Sequence, residues 1–295
     1  MKFLLTIYGD ESGWGDATPE DVGQIMAVQA NLRNEDSIRR AVDGASAVVI
    51  SVGVLASGGR QTFGALHAEG PGLVAKAARA AGVKRLVHIS AIGADAKSSS
   101  HYARTKAQGE AAVLAEFPDA IILRPSIVFG PEDGFFNRFA AMARIAPMLP
   151  LIGGGRTKFQ PVYVGDVAAA VAAVLDGAGT PGAIYELGGP ETLTFRELLE
   201  RTQIYAGRSR PYISLPFWYA KLTAALTWPL PNAVRPLTVD QVRLLEHDNV
   251  VSGAAKTEKR TLAGLGVEPL NSISAIVPEY LERFKPKGQY AHYKG

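Results

Sequence analysis

The sequence of 295 residues contains no cysteine. This absence excludes disulfide bonds, thiolate metal sites and cysteine nucleophiles, and it is typical of proteins from a reducing compartment. The five histidines show no spacing typical of metal ligands, and we therefore expect no metal site. One of them, His88, lies in an apolar run, where we interpret it as a hydrogen-bonded core residue rather than as a metal ligand.

Concentrated charge and long apolar runs are also lacking. The formal net charge is +3, and no basic tract is longer than two residues, which argues against a nucleic-acid partner. The most apolar late stretch, residues 215–230, is interrupted by Pro216, Lys221 and Pro229. It is also shorter than the about 20 residues that a membrane-spanning helix needs. The sequence therefore predicts no nucleic-acid binding and no transmembrane segment.

The first half of the chain alternates short β-rich runs with helical patterns. The β-rich runs are residues 3–8, 25–30, 47–52, 85–90 and 120–123. This alternation predicts an α/β fold in which a doubly wound parallel sheet is covered by helices on both faces. After residue 130 the pattern loosens into longer loops and glycine clusters. We therefore divide the chain into a sheet domain, 1–130, and a smaller C-terminal α/β lobe, 131–295, some of whose segments return to the main sheet.

Local signals mark where the helices begin and end. Asn34 is a predicted N-cap of a helix that ends at Gly44, and a second helix stops at Gly82. Pro71 should break or kink the longer helical segment, residues 61–81. The remaining predicted elements are helices over 101–117, 165–177, 194–207 (capped by Thr194) and 272–284, and a strand over 183–187.

Tyr102 and Lys106 form a candidate chemical pair. They are four positions apart on the helix that follows the strand 85–90, so both side chains lie on one helix face at the carboxyl edge of the sheet. Ligands bind at that edge in α/β folds. An ammonium group close to a phenol lowers the pKa of the phenol and lets it act as a general acid or base near neutral pH. The alternative interpretation is an ordinary exposed helix face.

Longer motifs surround this pair. The runs "VHISAIGADAKSSSHYARTKAQGE", "ILRPSIVFG" and "FQPVYVGDV" resemble the atypical and extended short-chain dehydrogenases. More closely, residues 24–295 resemble the NAD(P)H-binding accessory subunits of respiratory complex I, the NADH:ubiquinone oxidoreductase, in their bacterial form. The resemblance implies that residues 1–130 are a Rossmann-like domain with a tightly held nucleotide that is not turned over, NADP(H) rather than NAD(H). It also implies a peripheral position between the two arms of that complex, on the cytoplasmic face of a bacterial inner membrane or on the matrix side in mitochondria.

The resemblance carries over to individual residues. It implies contacts to the adenine end from Asn31 and Leu32, and further contacts from Ser51, Val52, Gly53, Ser90, Ala91, Tyr102, Lys106, Pro125, Ser126, Ile127 and Val128. Ser90 is the nearest candidate for the catalytic hydroxyl of active dehydrogenases, but the position expected for that hydroxyl is two residues later, at Ile92. The missing hydroxyl favours binding over turnover.

The opening segment departs from this pattern. Gly9, Gly13 and Gly15 could form a phosphate-binding turn, but only 16 residues, Gly9 to Gln24, precede the next predicted strand. A βαβ unit takes about 30 residues, so the first crossover is predicted to be truncated. Five carboxylates would also repel a pyrophosphate; they are Asp10, Glu11, Asp16, Glu20 and Asp21. Nucleotide binding is therefore in question, and two interpretations of segment 9–23 stay open: a true deletion or an artefact of the sequence.

Two further segments suggest partners. Residues 215–236 carry Phe217, Trp218, Tyr219 and Trp228, which suits either a partner or membrane interface or the core of the lobe. The basic tail, residues 283–295, is interpreted as a docking arm. The sequence thus leaves three functions: a non-catalytic subunit that contacts other complex I subunits through these segments, an NAD(P)-dependent reductase or epimerase that uses Tyr102 and Lys106, and a ligand-free scaffold.

Overall fold

The computed structural model describes residues 3–6, 31–57, 59, 61–227 and 237–286. The predicted strand 25–30, the three glycines of the opening turn and the truncated crossover lie outside these residues. The chain forms two compact units: a first unit of Met1–Arg124 and Val171–Tyr185, and a second unit of Pro125–Ala170 and Glu186–Gly295.

Within the described residues, the main sheet has five strands. In chain order they are β1 (Phe3–Thr6), β2 (Ala47–Ile50), β3 (Arg85–Ile89), β4 (Ile121–Pro125) and β9 (Ile184–Leu187), and this is also their order across the sheet. The first four strands pair in parallel. Ile122 N–H donates to the Ala183 carbonyl and Ser126 N–H to the Leu187 carbonyl, so the last pair also runs parallel. All four residues of β2 are buried, as expected for a parallel strand covered on both faces. The predicted Rossmann-like parallel sheet is confirmed.

The helices of the first unit begin and end close to the predicted residues. They are α1 (Glu35–Val42), a π-helical segment (Gly64–Glu69), α2 (Gly70–Ala80) and α3 (His101–Glu116). Asn34 caps α1 by accepting a hydrogen bond from Ser37 N–H. Gly44 and Gly82 have positive φ angles of 67° and 70°, a backbone conformation that favours glycine after a helix end.

Pro71 changes the helix type instead of breaking the helix. The π-helical segment runs directly into α2, and Gly70 N–H donates to the Ala65 carbonyl five residues earlier. Pro71 lies in the first turn of α2, where a missing N–H group costs little. The predicted break is therefore not seen: the helical segment continues past Pro71, with a change from π-helix to α-helix at Gly70. The alternative, a kink, stays a prediction.

The second unit is built from short elements. Its described strands are β5 (Val128–Phe129), β6 (Leu149–Ile152), β7 (Lys158–Phe159), β8 (Val162–Tyr163), β10 (Leu193–Thr194) and β11 (Tyr212–Leu215). They form three two-stranded pairs, β5 with β8, β6 with β11 and β7 with β10. The helices are α4 (Phe136–Ile145), α6 (Phe195–Tyr205), α7 (Phe217–Leu226), α8 (Val239–Leu244), α9 (Gly253–Thr257) and α10 (Ile273–Leu281), and α5 (Val164–Asp176) begins in this unit and ends in the first. Short 3₁₀ turns lie at Gly153–Gly155, Ala263–Leu265 and Glu282–Phe284.

Several predicted features of the second half are confirmed. Thr194 and Glu197 form a capping box at the start of α6, and Ser272 caps α10. The strand predicted over 183–187 is β9 of the main sheet. Within the described residues, no helix is both long enough and apolar enough to cross a bilayer.

Candidate functional site

The carboxyl ends of β2 and β3 place several predicted site residues at one edge of the sheet. Ser51, Val52 and Gly53 follow β2, and Ser90 and Ala91 follow β3. Neighbouring parallel strands bring these loops side by side, at the edge where α/β folds bind ligands.

Other predicted contacts lie in different surroundings. Leu32 is 2% exposed and belongs to the core of the first unit, which leaves its backbone for any contact with a ligand. Asn31 is exposed, and its side-chain oxygen accepts a hydrogen bond from Arg33 N–H. Pro125 is the last residue of β4, and the predicted contacts that follow it, residues 126–128, belong to the second unit.

In the second unit, the Ser126 hydroxyl is already engaged. Its Oγ lies 2.9 Å from the Asn249 carbonyl oxygen and 2.6 Å from the Asn249 side-chain oxygen. The Ile127 carbonyl accepts a hydrogen bond from Val162 N–H. Val128 pairs with Val162 where β5 meets β8. These three predicted contacts thus also hold the second unit together.

Lys106 reaches the edge of the sheet from α3. Its Nζ donates to the Ile89 carbonyl at 3.1 Å, and a Cβ atom added to Gly53 would lie 3.5 Å from this Nζ. The structure thus brings Gly53 and Lys106 together around the end of β3. Burial lowers the pKa of Lys106 to about 8, and attraction by Glu110 partly opposes this shift. The side chain therefore remains largely an ammonium group at neutral pH.

Glu110 completes a charged layer behind Lys106. Its two carboxylate oxygens accept hydrogen bonds of 2.8 and 2.6 Å from the Arg124 guanidinium. The pair is bidentate and mostly buried, a geometry that fixes both side chains. It holds a negative charge one helical turn from Lys106, which helps to keep the lysine protonated.

The pKa of Tyr102 shifts in the direction opposite to the prediction. Burial raises the pKa of its phenol to about 12, whereas the sequence predicted that Lys106 would lower it. That prediction is wrong because loss of hydration disfavours the charged phenolate and sets the direction of the shift. The ring packs edge-on against His67 and Phe63, with ring centroids 5.2 and 6.0 Å away. The phenol therefore stays protonated near neutral pH and is poorly suited to proton transfer.

His67 is a site residue that the sequence did not reveal. It is fully buried in the π-helical segment, and its Nε2 accepts a hydrogen bond of 2.9 Å from Val54 N–H. Its Nδ1 lies 3.4 Å from Thr105 Oγ1, and its ring stacks on Phe63. Burial, with smaller contributions from Lys106 and His101, lowers the pKa of His67 to about 3. The one available signal was a histidine inside an otherwise apolar helical pattern.

His88 is buried as predicted, but its hydrogen bonding differs from the prediction. Among the described residues, neither ring nitrogen of His88 has a hydrogen-bond partner, and the same is true of the Ser90 hydroxyl. Burial lowers the pKa of His88 to about 3, helped by the positive charge of Lys106. The ring is therefore neutral because the sheet excludes water from it. In the part of the chain that the structure describes, no group of three or more histidine or acidic side chains could hold a metal ion.

Comparison with known proteins agrees with this architecture. Residues 12–188 match the NAD dependent epimerase/dehydratase family, and the chain belongs to that family. Among its relatives, it is 38% identical over 247 residues to the NADH dehydrogenase [ubiquinone] 1 alpha subcomplex subunit 9 of Arabidopsis thaliana mitochondria. It is 30% identical over 275 residues to the mitochondrial NADH-ubiquinone oxidoreductase 40 kDa subunit of Neurospora crassa. The predicted relationship to complex I accessory subunits is confirmed.

The matches differ in how much of each protein they cover. The first covers 80% of this chain and 61% of the plant subunit, and the second covers 92% of this chain and 69% of the fungal subunit. The chain thus spans about 61% of the length of the plant relative. The predicted bacterial origin stays a prediction, since both relatives are mitochondrial.

Solved structures support the fold. The dTDP-glucose 4,6-dehydratase of Streptomyces venezuelae, with NAD bound, aligns with a TM-score of 0.63 over 90% of this chain and 81% of its own. The sequence identity is 21%, so this similarity concerns the fold alone.

Proposed function

We propose that this chain is a non-catalytic, nucleotide-binding accessory subunit of NADH:ubiquinone oxidoreductase. One observation carries the proposal: a site on a dehydrogenase fold keeps the lysine next to the glycine loop and packs its partly exposed tyrosine edge-on against two aromatic rings. Lys106 lies beside Gly53, whereas Tyr102 packs against Phe63 and His67. Such a site retains groups for binding while it has lost those for proton transfer.

The residues present fit a nicotinamide nucleotide. Gly53 leaves open, next to Lys106 Nζ, the space that a side chain would fill. The Ser90 hydroxyl is buried without a partner among the described residues, and a ligand hydroxyl would satisfy it. A nicotinamide nucleotide supplies hydride-transfer chemistry, and here Gly53, Ser90 and Lys106 would hold it. On the resemblance of the sequence, we propose NADP(H) in preference to NAD(H).

The absence of turnover follows from the side chains of the site. A general acid works best when its pKa is near the working pH, and the pKa of Tyr102 is about 12. At the position expected for a catalytic hydroxyl, Ile92 offers an apolar side chain that is 9% exposed. A phenol with a raised pKa and an apolar side chain are both poorly matched to proton exchange with a carbonyl substrate near pH 7.

We further propose that the second unit contacts other complex I subunits through two segments. The aromatic segment, residues 215–236, includes α7, which exposes Trp218, Leu222 and Leu226 at fractions of 68%, 49% and 71%. These residues are spaced by four and form one helix face. An exposed apolar face of this kind is typical of an interaction surface. The rest of this segment, residues 228–236, lies outside the described residues.

The basic tail, residues 283–295, is the second proposed contact. Its first residues are anchored: the Arg208 guanidinium donates to the Phe284 carbonyl at 3.2 and 3.3 Å, and Arg283 donates to the Asn137 side chain. Residues 287–295 lie outside the described residues. We propose the basic tail, residues 283–295, as a docking arm, with the protein at the matrix or cytoplasmic face of the respiratory membrane.

Co-purification tests the proposed function. A tagged chain expressed in its own cells should migrate with complex I in native gels after mild solubilisation. The purified chain should bind NADPH without oxidising it. A chain that migrates alone and oxidises NADPH with a carbonyl substrate would be a reductase or epimerase, and a chain that binds neither NADPH nor NADH would be a scaffold.

The acidic opening segment predicts weak binding. Charge-assisted hydrogen bonds to a pyrophosphate contribute about 1.5 to 3 kcal/mol each, and each 1.4 kcal/mol is about tenfold in affinity. Loss of two or three such bonds in segment 9–23 would leave a dissociation constant for NADPH in the high micromolar range or above. Calorimetric titration measures it. Submicromolar binding would show either that residues 9–15 form a working phosphate turn or that other parts of the site compensate.

A further inference from the structure

The ring of His67 lies where two backbones meet. A Cβ atom added to Gly109 of α3 would lie 1.8 Å from the His67 carbonyl oxygen, so α3 and the π-helical segment are in direct backbone contact. π-helical turns inside helices are frequent at functional sites. The contact at Gly109 allows the segment that carries His67 to lie close to α3, so that the His67 ring lies between α3 and the loop that follows β2.

Hydrogen bonding determines which nitrogen of the His67 ring carries the proton. Nε2 accepts from Val54 N–H, so this nitrogen carries no proton, and a neutral ring then carries its proton on Nδ1. Thr105 Oγ1 lies 3.4 Å from Nδ1 and is 2.9 Å from the His101 carbonyl oxygen. The Thr105 hydroxyl can accept from Nδ1–H while it donates to that carbonyl. A chain of hydrogen bonds thus runs from the loop after β2, through the His67 ring, into the first turn of α3.

The two ends of this chain are next to two proposed nucleotide contacts. Val54 follows Gly53, and Thr105 precedes Lys106. A Cβ atom added to Gly53 would lie 3.5 Å from Lys106 Nζ and 3.8 Å from His67 Nε2. The imidazole ring thus links the loop that carries Gly53 to the turn of α3 that carries Lys106.

We propose that His67 is a positioning residue, which sets the distance between Gly53 and Lys106 for the ribose and phosphate end of a nicotinamide nucleotide. This inference rests on the proposed nucleotide binding. His67 acts through Val54 and Thr105 and does not itself touch the nucleotide. A residue that only filled the core would need the shape of the ring and not its two nitrogens.

Three variants separate positioning from packing. His67→Phe keeps a ring of similar shape and loses both nitrogens, and His67→Gln keeps an acceptor and a donor at the end of the side chain. Leu66→Met is the control, because Leu66 is a buried neighbour in the same π-helical segment. Each variant is titrated with NADPH and NADH by ¹⁵N chemical-shift changes, which follow weak binding up to millimolar ligand, and its melting temperature is measured in parallel.

We expect NADPH to bind His67→Phe at least tenfold more weakly than the wild-type chain. His67→Gln and Leu66→Met should stay within about threefold of wild type. The imidazole ¹⁵N spectrum of the wild type should show a protonated Nδ1 and an unprotonated Nε2 at pH 7.

Four outcomes would overturn the inference. Equal affinity of wild type and His67→Phe, or an Nε2-protonated ring, would overturn the positioning role alone. A wild-type chain that binds neither nucleotide would overturn the proposed binding function and the inference with it. A loss of affinity in Leu66→Met as large as in His67→Phe would show that packing, not hydrogen bonding, is what the site needs.

Discussion

The two units bury polar groups in contrasting ways. In the first unit, both nitrogens of His88 and the hydroxyl of Ser90 lack hydrogen-bond partners among the described residues. In the second unit, the buried carboxylate of Asp166 accepts hydrogen bonds of 2.9 and 2.6 Å from the backbone and side-chain amides of Asn271. A buried polar group without a partner costs about 1 to 3 kcal/mol. The unpaired groups of the first unit thus lower its stability, and they lie at the carboxyl end of β3, next to the proposed site. The buried carboxylate of the second unit carries no such cost because it is paired.

The hydrophobic cores of the two units also differ, in their content of aromatic residues. Among the described residues, the main hydrophobic cluster of the first unit is mostly aliphatic and includes Phe117. The core of the second unit is built around Phe129, Phe136, Phe159 and Phe195. A regular sheet packs β-branched and aliphatic side chains, whereas two-residue strands leave irregular gaps that large rings fill. Aromatic pairs add about 0.5 to 1.5 kcal/mol each beyond the area they bury.

Among the variants that test this comparison, Gly109→Ala in the first unit should cause the largest loss of stability. Gly109→Ala places a Cβ atom 1.8 Å from the His67 carbonyl oxygen and should lower the free energy of unfolding by about 3 kcal/mol, because two backbones must separate. Gly64→Ala is the matched control, since a Cβ atom there meets nothing within 4 Å. Urea denaturation measures both. Similar stability of the two variants would contradict the close packing of α3 on the π-helical segment.

The pH dependence of stability should come from the first unit. The pKa values of His67 and His88 are lowered to about 3, whereas an unfolded chain has histidine pKa values of about 6.5. Below about pH 6.5 the unfolded state therefore binds more protons, and stability falls as the pH falls towards 3. Each histidine should cost about 2 kcal/mol at pH 5 relative to pH 7. Urea midpoints across this range measure the effect, and a flat profile would show that the rings ionise in the folded protein.

A paired substitution compares the buried polar groups directly. Asp166→Ala in the second unit leaves the Asn271 amide groups unpaired and should cost about 2 kcal/mol. His88→Leu in the first unit removes two unpaired nitrogens and should raise the free energy of unfolding by about 1 kcal/mol. Thermal and urea unfolding measure both. If His88→Leu destabilises the protein as much as Asp166→Ala does, ordered water already satisfies the histidine.

Tyr102→Phe should have a smaller effect. A phenol that transfers no proton contributes packing and hydrogen bonding only, so its loss should cost about 0.5 to 1.5 kcal/mol. Assembly with complex I and electron transfer from NADH to ubiquinone should be unchanged. Loss of a purified reductase activity in this variant, with folding intact, would favour the enzyme interpretation.

The smallest effect on stability is expected from shortening the tail. A chain that ends at Pro286 keeps the anchoring of Phe284 by Arg208 and removes residues 287–295. Its melting temperature should change little, because the polar tail offers little apolar area to the core. Its association with complex I should weaken, as measured by native gels. A chain that ends at Arg283 is the comparison, and it should also lose stability.

Much of the fold and part of the site could be predicted from local patterns. The caps Asn34 and Thr194 mark helix starts because their side chains accept from backbone amides two or three residues later. The pair Tyr102 and Lys106 shares a helix face because of its spacing. The position of His67 could not be predicted, since its partners are Val54, 13 positions away, and Thr105, 38 positions away. No local pattern encodes contacts of that separation.

What the sequence by itself determined is the parallel sheet, the order of its helices and the lysine at the sheet edge, because periodicity, capping and spacing act over a few residues; the glycine came from the family resemblance. What only the tertiary structure decided is the electrostatic character of the site. Burial moved the pKa of Tyr102 upward to about 12 and that of His88 downward to about 3, in each case towards the neutral form. Loss of hydration depends on every element packed around a group. It therefore decides which side chains of the site are charged and which can transfer a proton near neutral pH.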